Sequence, residues 1–164
     1  MSWPKPDADH LMVTADQMAC VEDAILMSGL PLPSFMEKVG HAMAAWFLKQ
    51  PGLLEKGVLV MVGPGHNGGD GLVVARELHL SGINVTIWCP LPVKKSLTAQ
   101  HLLHSKWLGI KELDSSPDVN DQALWIEALF GLGQSRLLPK SIGQLFVERE
   151  LCYPGRIVSL DVPA

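Results

Sequence analysis

A chain of 164 residues, 48% of them hydrophobic, can bury a core of its own, which excludes a disordered chain. The formal net charge is −4 and no basic stripe is present, so the electrostatic footprint of a nucleic-acid binder is missing. No apolar run approaches the ~20 residues that a bilayer-spanning helix requires, which excludes a membrane span. Residues 1–10 are polar and contain proline, without the apolar stretch of a signal peptide. Cys20, Cys89 and Cys152 are far apart and form no CxxC pair; they read as buried, reduced thiols, which suits a cytoplasmic protein.

In chain order, Thr14-x-x-Gln17 is a capping box for a helix reaching about Ser28, with Gly29 as its stop and Met18, Val21 and Ile25 on one face. Ser34-x-x-Glu37 reads as a second capping box. Met36, Val39, Gly40, Met43, Trp46 and Phe47 follow at helical spacing, a core-packing stripe that Pro51-Gly52 ends. The run 58–62 is apolar without alternation, as in a parallel strand covered on both faces. A glycine loop, a helix over 71–81 and a strand over 84–88 complete a βαβ unit. A helix over 96–108, a short strand at 111–113, a polar loop at 114–121, a buried strand at 123–126, a helix over 139–150 and a strand at 157–160 follow. The expected fold is α/β: a Rossmann-like three-layer αβα domain with a largely parallel sheet, preceded by a helical pair. The whole of 1–164 reads as one domain, and the apolar strand close to Ala164, with no covering helix after it, suggests that it is incomplete at its C-terminus.

The richest segment is Gly63-Pro64-Gly65-His66-Asn67-Gly68-Gly69-Asp70-Gly71. Between a strand and a helix, such a loop aims N–H groups at an anion, and the glycines are expected to admit a ligand and positive φ. A phosphate-bearing ligand follows. Ligands in open parallel sheets bind beyond the carboxyl ends of the strands. Asp70, Glu127 and Asp161 all stand at such ends, so three carboxylates are expected around one crevice. Each has a second reading: Asp70 as a helix cap, Glu127 as an acceptor of nearby backbone N–H groups, Asp161 as the anchor of a turn. Gly131-x-Gly133, with Gln134, Ser135 and Arg136, forms a smaller loop whose arginine can fork onto a phosphate. Gly63-x-Gly65-x-x-Gly68 meets the dinucleotide fingerprint, but the next strand ends in Trp88-Cys89-Pro90-Leu91 without the ribose-binding acid of a dehydrogenase. His101-x-x-His104 has metal-ligand spacing but no evident third ligand, and reads as surface histidines.

Taken together, Thr14-x-x-Gln17-Met18 with Glu22, Phe35-Met36-Glu37-Lys38-Val39-Gly40, the glycine segment 63–71, Glu127-Ala128-Leu129-Phe130-Gly131-Leu132-Gly133 and Ser159-Leu160-Asp161-Val162-Pro163 resemble the NAD(P)HX epimerase family, also called the YjeF N-terminal domain. The likeness spans nearly the whole chain in order. It implies a Rossmann-like isomerase of nicotinamide nucleotide repair. Such an enzyme interconverts the R and S forms of hydrated NADH or NADPH at C6, so that a partner dehydratase can restore the cofactor. Carried over by position, the resemblance implies that His66, Asn67, Gly68, Gly69 and Asp70 line the substrate and that Gly131, Leu132, Gly133, Gln134, Ser135, Arg136 and Leu137 form a second substrate loop. Asp161 would be the catalytic acid–base group, and potassium would be held by Asn67 and Glu127. Departures from the family are His66 in place of Asn, Glu127 in place of Asp, and Ala164 in place of the Ser of Asp-x-Pro-Ser-Gly. A non-catalytic nucleotide-binding or scaffold module of the same fold is the alternative. The apolar N-terminal helical pair could serve a homodimer, and no basic residue stands out in the sequence for a 2′-phosphate.

Overall fold

The computed structural model of the protein describes residues 14–132 and 137–164. The chain divides into two compact units, Met1–Leu32 and Pro33–Ala164. In the first, α1 (Ala15–Met27) begins with the expected box: the Gln17 N–H donates to Thr14 Oγ1 at 3.2 Å, and the Thr14 N–H donates to Gln17 Oε1 at 2.8 Å. Gly29 follows the helix with φ +95°, a left-handed conformation that glycine adopts without steric cost.

The second unit carries the sheet. After α2 (Leu32–Leu48) and the single turn α3 (Pro51–Leu54) come β1 (Val58–Val62), α4 (His66–Leu80), β2 (Val85–Trp88), α5 (Ser96–Trp107), β3 (Lys111–Leu113), β4 (Leu124–Ala128), α6 (Lys140–Cys152) and β5 (Ile157–Ser159). The five strands are parallel in the order β3-β2-β1-β4-β5. Chain order thus reverses between β1 and β4, where Met61 stands opposite Glu127. This is the switch point at which doubly wound sheets bind ligands.

All five residues of β1 are buried because the sheet is covered on both faces. Val58, Val60 and Val62 join Leu124, Ile126 and Ala128 under Phe47 of α2 and Leu72 and Leu78 of α4. Leu59 and Met61 join Trp125 under Ile142 and Leu145 of α6. Each fully buried side chain of this size contributes about 1.5–3 kcal/mol. This confirms the Rossmann-like three-layer reading.

Several local expectations are corrected. The glycine segment is not a loop followed by a helix at 71: α4 starts at His66. Ser34 does not cap a helix, because α2 starts two residues earlier, at Leu32. Glu37 is instead drawn to Arg76. In the Met and Trp stripe, Met36, Gly40 and Phe47 are buried, but Trp46 is exposed, because the stripe is wider than the face that meets the sheet. The cysteines are free but not all buried: Cys20 and Cys152 are exposed, and only Cys89 is half-buried. His101 is not on the surface; its imidazole points toward Glu37, while His104 stacks on Trp107.

Arg149 of α6 was not singled out by sequence, yet it is wholly buried. Its guanidinium lies between Trp125 and Tyr153, 4.7 and 4.6 Å from the ring centroids. It donates to the carbonyls of Val119 at 2.7 Å, Ala123 at 2.6 Å and Asp121. The polar loop before β4 is therefore held by one side chain. Burial lowers the Arg149 pKa, which marks the cost of removing the charge from water.

Replacing Arg149 by Met should cost about 2–4 kcal/mol in urea unfolding, since three carbonyls lose their donor; an unchanged midpoint would contradict this role. Burial, aided by a hydrogen bond to Glu112, pushes the Cys89 thiol up to about 12. Ellman's reagent should therefore titrate two thiols quickly in the native protein and the third only after denaturation.

Candidate functional site

The site is built where β1, β4 and β5 end. β1 passes through Gly63-Pro64-Gly65 into α4, whose N-cap, Gly65, makes no side-chain capping bond. The first N–H groups of α4 are thus left without intrahelical partners at the positive end of its dipole. This is the anion-facing geometry expected from sequence, with one correction. None of Gly63, Gly65, Gly68, Gly69 or Gly71 has positive φ. They are required because chain meets chain: a Cβ at Gly63 would strike the Leu129 carbonyl, and one at Gly68 the Gly63 carbonyl. A Cβ at Gly71 would lie 2.6 Å from Ala128 Cβ, and one at Gly69 2.6 Å from Met36 Sδ. The helix can sit against the strand ends only because these side chains are absent.

Asn67 is 9% exposed and spends both amide hydrogens across the sheet, on Phe130 O at 2.7 Å and Leu160 O at 3.3 Å. Asp161 follows Leu160 directly and is exposed. Its φ of +68° is the only left-handed value outside glycine among the described residues. Asp tolerates that region better than most residues, and strain of this kind collects at functional positions. Its Oδ2 accepts the Leu132 N–H at 2.7 Å. Gly131 lies between them: a Cβ there would collide with Asp161 Oδ2 and come within 3.5 Å of Asn67 Cβ. Asn67, Gly131, Leu132 and Asp161 therefore converge.

Glu127 does not join them as expected. It is 1% exposed, with Oε1 accepting the Leu129 N–H at 2.6 Å and Oε2 the Ala164 N–H at 3.2 Å. This is the backbone-satisfying alternative, and it removes Glu127 from the trio of crevice carboxylates. Glu127 lines a hollow of about 290 Å³ beside Phe146, Ser159 and Ala164, a lining that does not include Asn67, Asp70 or Asp161. Asp70 is half-buried in the second turn of α4, not at its cap. His66 is exposed at the head of α4, and desolvation, then the charge of Lys95, lowers its pKa, so its ring is neutral at pH 7. Leu137 is 95% exposed. Gly133, Gln134, Ser135 and Arg136 lie outside the described residues.

Among the described residues, no group of three His, Cys, Asp or Glu converges as a metal site. The chemistry of the Asn67 corner is of another kind. One carboxamide faces two backbone carbonyls, and with the amide turned over, three neutral oxygens would converge, a donor set that suits a hard monovalent cation. Both oxygens of Glu127 already accept N–H groups, so Glu127 adds no oxygen to this set.

Glu37, from the Phe35–Gly40 segment, fastens α2 to α4. Arg76 Nη1 donates to Glu37 Oε1 at 2.9 Å, and Arg76 Nε donates to Glu77 Oε1 at 3.0 Å. His41 lies 3.5 Å from Glu37 and 3.3 Å from Glu77. The Arg76 hydrogen bond, opposed by burial and reinforced by the charges of Arg76, His101 and His41, holds the Glu37 carboxyl below its ordinary value. The segment is packing, not chemistry. Lys94, Lys95 and Thr98 were missed by sequence reading. Both lysine N–H groups donate to Pro64 O, at 3.0 and 3.3 Å, and Thr98 Oγ1 donates to Gly65 O at 2.8 Å. Their only sequence signal is two cations following β2.

Parallel strands in this order, with a glycine-seated helix and a strained acid at the strand ends, define a Rossmann-like α/β protein with a candidate ligand site at the switch point. The family model described as YjeF-related protein N-terminus matches residues 33–164. An NAD(P)H-hydrate epimerase of Rhodobacter capsulatus is 32% identical over 93% of this chain and 76% of its own. The chain belongs to the YjeF N-terminal family. A bifunctional NAD(P)H-hydrate repair enzyme, Nnr, from Thermosynechococcus vestitus is 36% identical over 93% of this chain, which spans only 30% of that relative's length. The crystal structure of yeast YNL200c superposes with a TM-score of 0.79 at 29% identity, covering 94% of this chain and 71% of the yeast chain.

Gly71→Ala should cost about 1–3 kcal/mol in chemical denaturation, because its methyl group must displace Ala128 or shift α4 off the strand ends. A neutral or stabilising result would show that α4 is not seated as tightly as described.

Proposed function

We propose that the chain epimerises hydrated NADH and NADPH, interconverting the R and S forms at C6 of the reduced nicotinamide ring. The observation that carries this reading is the convergence of Asp161, Gly131 and Asn67 beside an uncapped helix N-terminus at the switch point. It is supported by the names of the relatives from Rhodobacter capsulatus and Thermosynechococcus vestitus. The N–H groups of α4 take the phosphates.

The C6 carbon bears a hydroxyl beside the ring nitrogen and is therefore a carbinolamine. Asp161 in its acid form gives a proton to the hydroxyl. The C6–O bond breaks, water leaves, and the nitrogen lone pair forms a C6–N double bond, so the stereocentre is lost. Water then adds to the opposite face, and Asp161 takes back the proton. No atom or electron is gained or lost overall, as an epimerisation requires. The Leu132 N–H fixes one carboxylate oxygen, and the left-handed backbone aims the group.

Potassium is proposed at the Asn67 corner, held by Asn67 with the carbonyls of Phe130 and Leu160 and without the oxygens of Glu127, which are bonded to backbone N–H groups; when bound it would supply electrostatic stabilisation of anionic groups. The Nnr relatives carry more chain than this one aligns with, and a dehydratase consuming one epimer is the proposed functional partner.

Asp161→Asn is the informative substitution, because Asn also tolerates positive φ and so preserves the backbone. Equilibration of R and S hydrated NADH, followed by chromatography, should slow by about 10²–10⁴-fold, while the melting temperature stays within about 2 °C. Near-normal turnover would refute the assignment, and tight nucleotide binding without any turnover in the unaltered protein would favour a binding module.

A further inference from the structure

In sheets of this strand order, the adenosine ribose lies beyond the end of the second strand, where an acid holds a 2′-hydroxyl and a base accommodates a 2′-phosphate. Here β2 ends at Trp88, and residues 89–93 contain no carboxylate. Glu112 on the adjoining β3 is ion-paired to Lys106. The next charged residues after β2 are Lys94 and Lys95, both exposed.

We propose that Lys95, assisted by Lys94, recognises the 2′-phosphate of the adenosine ribose and gives the chain a preference for hydrated NADPH over hydrated NADH. The proposal rests on the nucleotide reading above and adds to it a specificity determinant.

Four observations support it. The two backbone N–H groups share the Pro64 carbonyl, which fixes the start of both side chains beside the loop that leads into α4. Thr98, one turn further along, at the start of α5, fastens the same loop through the Gly65 carbonyl, so this segment is tied to the chain entering α4 at both Pro64 and Gly65. Among the described residues, neither ammonium is paired with a carboxylate, so the cations are not consumed by the fold. The charge of Lys95 reaches as far as His66, the first residue of α4, where it helps keep the imidazole neutral. A monoester phosphate carries about −1.5 to −2 charge near neutral pH, and an ammonium binds it as a point charge through short, charge-assisted hydrogen bonds.

The probes are adenosine 2′,5′-bisphosphate and AMP, which differ only in the 2′-phosphate, titrated calorimetrically into the full chain. The unaltered protein should bind the bisphosphate about tenfold more tightly, Lys95→Ala should remove the difference while leaving AMP within about twofold, and Lys95→Arg should retain it. Equal affinities in the unaltered protein would overturn the proposal, as would no binding of either probe. Equal weakening of both probes in Lys95→Ala would also overturn it, since the lysine would then serve the shared 5′-phosphate. Epimer equilibration on both substrates separates this proposal from the one it rests on: discrimination without epimerisation sinks the activity alone, and epimerisation without discrimination sinks the lysine assignment alone.

Discussion

The carboxamide of Asn67 ties together the ends of three strands. It stands in the first turn of the helix that follows β1 and donates to the carbonyl of Phe130 beyond β4 and of Leu160 beyond β5. The two carbonyls would otherwise turn inward without donors, at a cost of about 1–3 kcal/mol each. Because one rigid amide serves both, the loop after β4 and the turn after β5 are held in register with the head of α4. The convergence of Gly131, Leu132 and Asp161 depends on that registration.

The glycines make the registration possible. At Gly63, Gly68 and Gly71 the neighbouring chain occupies the space a side chain would need. Intrinsic propensity argues against a helix opening with so many glycines. Tertiary packing overrides it, because a helix brought this close to the strand ends buries apolar surface on Val60 and Ala128 that no bulkier residue could reach. On the outer side, the Glu37–Arg76–Glu77 group and the contact of Gly40 with Val73 clamp α4 from α2. The same helix is thus fixed from two sides, and its N-terminal N–H groups point at the switch point without needing a dedicated cap.

The two carboxylates at the strand ends have divided roles, and their environments explain the division. Glu127 is almost fully buried and accepts two backbone N–H groups, so its oxygens are satisfied within the protein. Asp161 is exposed, bonded at one oxygen and held in a backbone conformation few residues adopt. A group stabilised from within is structural; a group strained, accessible and aimed by its backbone is the one available to a reacting ligand.

Much of this was legible in the residues. The unbroken apolar run at β1, the glycine segment and the recurring strand–helix alternation determined a parallel, doubly covered sheet, because a strand buried on both faces has no polar side. The ordered motifs determined the family and put Asn67, Gly131 and Asp161 among the candidates. Only the tertiary structure decided that α4 begins at His66, that Glu127 is spent on backbone N–H groups, that Arg149 is buried and His101 turned toward Glu37, and that Lys94 and Lys95 lie against the glycine loop. Periodicity records which way a residue faces along its own element. It carries no information about which distant carbonyl will stand within 3 Å of a given N–H group, and it is those pairings between elements that separate an anchoring residue from a functional one.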